Sequence, residues 1–99
     1  MDTSERLSAL SHPGRLAVLR WLKAPRRHFP RQEHADIDRV GVCCTLLTRK
    51  LRIAPATTTR HMKILADAGF VRAQRIGKFT YYRRVDAALR AVAGELRTL

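Results

Sequence analysis

From Pro55 the chain keeps a helical period as far as Ala68, stops at Gly69, and passes at once to a strand pattern that turns on Gly77-Lys78. A change from a 3.6-residue to a two-residue period across one glycine predicts a helix and a hairpin in direct succession, so neither an all-helical bundle nor a sheet-only fold fits. In the hairpin, Phe70 to Ile76 and Phe79 to Arg84 are rich in strand formers, and the two-residue turn between them is basic at its tip. The helix carries Thr57, Thr58 and Thr59 in a row, although branching at Cβ costs side-chain freedom in a helix. At about 100° per residue the triplet divides: Thr58 shares a face with Met62 and Leu65, while Ala56, Thr59, Arg60 and Lys63 lie opposite. Thr58 is then a steric substitute for valine in the core, and Thr59 looks outward beside two cations.

Upstream, Asp2 and Glu5 have capping-box spacing before a short helix with Leu7 and Leu10 inward. Pro13 suits the first turn of a second helix, which presents Leu16, Leu19 and Leu22 on one side and runs until Pro25. Residues 25–41, PRRHFPRQEHADIDRVG, combine two prolines with mixed charge and no sustained period, and are expected to form a mobile loop insertion. A third helix is expected from about Cys43 to Leu51, with Cys44, Leu47 and Leu51 on one face. The fourth is the threonine helix, and a fifth, from about Asp86, carries Leu89, Val92, Ala93 and Leu96 as a stripe. Five helices with a two-stranded β-hairpin between the fourth and fifth make a mainly α (α+β) chain in winged helix-turn-helix order, read as a single domain over residues 1–99.

Twenty Lys and Arg against eight Asp and Glu give a formal charge of +12, which points to a polyanionic partner, nucleic acid before an anionic membrane. Neither a signal peptide nor a membrane span is legible, so a cytoplasmic location is expected. With Thr59, Arg60 and Lys63 outward and Arg75 and Lys78 on the hairpin, hydroxyl and cationic groups are available to base edges and phosphates of double-stranded DNA. Scattered histidines and the lack of a Gly-rich phosphate loop argue against an enzyme, and no cofactor is implied.

Three stretches, LSALSHPGRLAVLRWL, LLTRKLRIAPATTTRHMKILADAGFV and RIGKFTYYR, together resemble the ArsR/SmtB-type bacterial transcriptional repressors. The resemblance implies a homodimer that binds a palindromic operator until an effector lowers its affinity. It also implies that the fourth helix enters the major groove with Ala56, Thr57, Thr59 and His61 at reading or phosphate-contact positions, and that the hairpin touches flanking DNA. First and last helices would build the dimer, which places Leu7, Leu10, Leu89, Val92 and Leu96 at its interface. His61 lies at an angle between the two faces of its helix, where a structural hydrogen bond and a phosphate contact are equally open. Phe79, Tyr81 and Tyr82 suit core packing better than base stacking, because they alternate along a strand.

Arsenic-, cadmium- and lead-sensing members of that family place two cysteines one residue apart in the third helix; here VCCTLL keeps only Cys44 of the pattern. Adjacent residues on a helix diverge by about 100°, so Cys43 and Cys44 cannot easily converge on one ion. No metal site is therefore expected, with small buried side chains as the reading of both cysteines. Their alternatives are a rearranged site with His28 or His34, or a thiol switch. A nonspecific architectural DNA-binding protein is the competing function, and the effector is not legible.

Overall fold

Local signals act where the sequence places them in the computed structural model, which describes residues 1–99. Helix α1 covers Thr3–Leu10, and the Asp2 carboxylate accepts the Glu5 N–H at 2.8 Å. The His12 ring caps α2, Pro13–Lys23, by accepting the Gly14 N–H at 2.9 Å through Nδ1. Prolines open three helices, α2, the four-residue α3 (Pro25–His28) and α5 (Pro55–Asp67), where a missing N–H leaves no bond unmade. Between them α4 spans Cys44–Leu51 and ends on Arg52 in the left-handed region. Gly69, at φ +85°, ends the turn after α5, and Gly77, at φ +59°, supplies the hairpin turn. Strands β2 (Val71–Ile76) and β3 (Phe79–Arg84) pair with Ile76 opposite Phe79, and α6, Asp86–Arg97, closes the chain.

The expected winged helix-turn-helix order stands, with one helix and one strand more than the sequence pattern showed. Residues 25–41 are not a structureless insertion. They begin with α3, bury Phe29 and Ile37 in the core, and lead into a short strand β1, Val42–Cys43, that pairs antiparallel with β3. The sheet therefore has three strands in the order β1-β3-β2. The Gln32 amide holds the segment's return by donating to Ala35 and Gly41 carbonyls at 3.0 and 2.7 Å, and its oxygen accepts the Cys43 N–H at 3.1 Å. Gly41, at φ +110°, lets β1 approach β3 so closely that a Cβ there would lie 2.3 Å from the Tyr82 carbonyl oxygen.

One core joins the layers, with Phe70, Leu47, Met62, Leu65, Val18, Val42 and Thr58 fully buried. Helix α6 rests against α1, where Glu95 accepts from the Thr3 hydroxyl at 2.9 Å and pairs with Arg6. No helix is long and apolar enough to cross a membrane.

Candidate nucleic-acid interface

Helix α5 divides its side chains as the 100° arithmetic requires. Thr58, Met62 and Leu65 are buried, whereas Ala56, Thr57, Thr59, Arg60 and Lys63 are exposed. Its N-terminal end has no side-chain cap and no acidic residue in the first turn, which leaves the positive end of the helix dipole open to an anion. The Thr59 hydroxyl donates back to the Pro55 carbonyl at 3.1 Å, a bond that restrains its rotamer. Arg60 has no intramolecular partner. Lys63 has one, Asp67 at 3.1 Å one turn on, a tether absent from the expectation for this face.

The hairpin follows α5 through Gly69 and Phe70 and packs on it. Arg75 and Lys78 are exposed near its tip, with Arg75 Nε donating to the Gly77 carbonyl at 3.2 Å and Lys78 Nζ 5.7 Å from the Phe79 ring centre. Arg72 and Arg83 stand directly opposite one another, a like-charge cross-strand pair that is unfavourable until an anion joins it. Arg84 departs from the rest of this cationic ribbon: it turns inward, donating to the Leu19 carbonyl at 2.9 Å and to Asp86 at 2.7 Å. Tyr81 and Tyr82 are buried and unavailable for base stacking. Phe79 is half-buried under the His34 ring, centroids 5.8 Å apart and nearly parallel, so the 25–41 segment braces the wing.

His61 faces into the protein. Only 9 % exposed, it accepts from Arg15 Nη1 at 3.0 Å through Nδ1, and its ring centre lies 4.4 Å from that of His12. Arg15 also donates to the Ala9 carbonyl at 2.6 Å, so α1, α2 and α5 meet at this one guanidinium. Burial, with the charges of His12, Arg15 and Arg60 adding to it, holds the His61 imidazole below its usual pKa. Of the two readings open for His61, the structural hydrogen bond is formed, through Nδ1 to Arg15.

Among the residues expected between subunits, Val92 is 4 % exposed within a single chain and belongs to that chain's own core, which corrects its assignment to the interface. The others remain accessible in part: Leu7, Leu10 and Leu89 are half-buried at the core edge, and Leu96 is 43 % exposed. Cys43 ends β1 and is buried, while Cys44 opens α4 and is half-buried; both are free thiols. No group of three or more His, Cys, Asp or Glu gathers in metal-binding geometry. Burial pushes the Cys44 thiol up, against the direction a reactive thiolate needs.

No family model matches the chain. It is 42 % identical over 98 residues, covering 99 % of this chain and 98 % of the relative, to a Bacillus subtilis strain 168 protein described as the uncharacterized HTH-type transcriptional regulator YbzH. In fold it is similar to a crystallised ArsR family transcriptional regulator, with a TM-score of 0.74 at 21 % identity over 96 % of this chain and 88 % of the other. It is also similar to an ArsR-like transcriptional regulator from Rhodococcus sp. RHA1, with a TM-score of 0.68 at 22 % identity over 97 % and 76 % of the two chains. Each of these relatives is described as a transcriptional regulator. With this element order, a hairpin wing and an end-to-end match to a helix-turn-helix regulator, the chain belongs to the HTH-type transcriptional regulators and has the winged helix-turn-helix fold seen in crystallised ArsR family members.

Proposed function

We propose that the protein is a homodimeric repressor that lays α5 in the major groove of a palindromic operator, and that a cellular effector releases it. The observation that carries this reading is the exposed face of α5, where Thr57, Thr59, Arg60 and Lys63 surround an uncapped helix start beside the Arg75 and Lys78 wing. Hydroxyls and a free guanidinium are groups that read base edges, and the wing cations neutralise flanking phosphates in any sequence. A net charge of +12 per chain adds attraction without specificity. The protein would act where the chromosome lies, in the cytoplasm, with no cofactor of its own.

A nonspecific architectural DNA binder shares the charge but has no use for hydroxyls ordered on a groove-entering helix. The two readings separate when affinity for the protein's own promoter is compared with affinity for random duplex at about 0.15 M salt. An operator-specific protein should favour the promoter by about 1,000-fold or more. Equal affinities would leave only the architectural role.

A further inference from the structure

We propose that the groove between the end of α3 and the outer side of α4 binds a small organic anion with a flat apolar body. His28, Phe29, Pro30, Leu46, Arg49 and Lys50 line it, around about 280 Å³, at the small end of ligand cavities. Phe29, Pro30 and Leu46 give an apolar floor. Above it Lys50 Nζ stands 5.1 Å from the Trp21 ring centre and 5.7 Å from that of Phe29, and those two rings meet edge to face at 6.1 Å. Two aromatic faces thus hold the ammonium at the groove in advance, which lowers the ordering cost of meeting an anion there.

Nothing within the chain neutralises these cations. Arg49 and Lys50 join none of the ion pairs, and no Asp or Glu occurs between Arg6 and Gln32 or between Arg39 and Ala66, the stretches that supply the groove's walls. Charge complementarity therefore calls for an external anion, and the apolar floor selects its remainder. Inorganic phosphate or a phosphodiester would neutralise the cations but leave Phe29, Pro30 and Leu46 uncovered, whereas an aromatic carboxylate satisfies both. Because α4 packs on α5, a ligand drawing Lys50 and Leu46 toward the His28–Pro30 turn would bias the angle at which α5 is presented. That consequence rests on the operator-binding reading; occupancy of the groove does not.

The only tryptophan, Trp21, lies under Lys50 and reports the site directly. Titration of the DNA-free protein with benzoate should change Trp21 emission saturably, while benzamide and inorganic phosphate at the same concentrations should not. Lys50→Ala and Arg49→Ala, both at exposed positions and so expected to keep the native circular dichroism, should each weaken benzoate by about tenfold. No benzoate response, an equal response to benzamide or phosphate, or undiminished binding by the double variant would overturn the site. Repeating promoter binding with saturating benzoate tests the coupling separately: unchanged DNA affinity would remove the effector role, and equal promoter and random-duplex affinities would remove the operator reading while the titration stood.

Discussion

Two buried polar side chains on α5 show what a position's neighbours can do to its chemistry. Thr58 is fully buried and its hydroxyl has no hydrogen-bond partner. Valine has nearly the same shape without the desolvated hydroxyl, so Thr58→Val should raise unfolding free energy by about 1 kcal/mol in urea titrations, with DNA binding retained. Loss of stability would mean that the hydroxyl has a partner in solution. His61 is buried, with Arg15 and the His12 ring against it and Arg60 adjacent, and its folded pKa lies below the 6.5 of the free side chain. Between those two values the unfolded chain binds more protons than the folded one, so stability rises with pH across that window. Relative to pH 7, stability should therefore fall as the pH drops from about 6.5 down through the folded value. His61→Asn keeps an acceptor near the Nδ1 position without a titrating base, and urea midpoints should then decline less between pH 7 and 5.5. An unchanged decline would assign the pH dependence to other groups. The angle of His61 on its helix was readable from sequence; its partner Arg15, 46 residues away, was not.

At the level of elements, legibility followed repetition. The threonine helix and the hairpin repeat their periods over enough residues to declare both their type and their outward faces, and these faces carry the proposed DNA contacts. The 25–41 segment has no such repetition. The strand it leads into, β1, is two residues long, too short to show a period, and the segment's anchors, Phe29 and Ile37, are isolated apolar residues in polar surroundings. What marks it as ordered is Gly41, whose φ of +110° and contact with the Tyr82 carbonyl admit no Cβ. Gly41→Ala should lower stability by about 2 kcal/mol or more in thermal unfolding, since strain and a backbone clash coincide there. A variant as stable as the wild type would detach β1 from the sheet. On the DNA side, Arg60 and Lys78 should fail in different ways. Arg60→Ala should weaken operator binding by about tenfold and relax base preference, because a guanidinium at a base edge carries sequence information. Lys78→Ala should weaken all sequences alike and reduce the salt slope by about 1, as loss of one phosphate contact does. Identical selectivity profiles for the two variants would contradict this division of labour.

For the whole molecule, the question is what α1 and α6 do with the apolar surface they do not bury. The sequence stripe Leu89, Val92, Leu96 reads as one seam, but a helix stripe is wide enough to serve two neighbours, and Val92 is taken by the chain's own core. A charge at Val92 would unfold the protomer and say nothing about association. Leu96 is different: 43 % exposed on the last helix, it has apolar surface left to bury in the proposed dimer. Leu96→Asp should therefore leave each chain folded while producing monomers by light scattering, because pairing would desolvate a carboxylate in each subunit. Operator affinity should fall with it by well over tenfold, since two half-sites bound by one rigid dimer become two independent events. The wild-type thermal midpoint should also rise with protein concentration, and that of the variant should not. A dimer that survives Leu96→Asp would move the seam away from α6, and with it the spacing at which two copies of α5 could meet successive turns of the major groove.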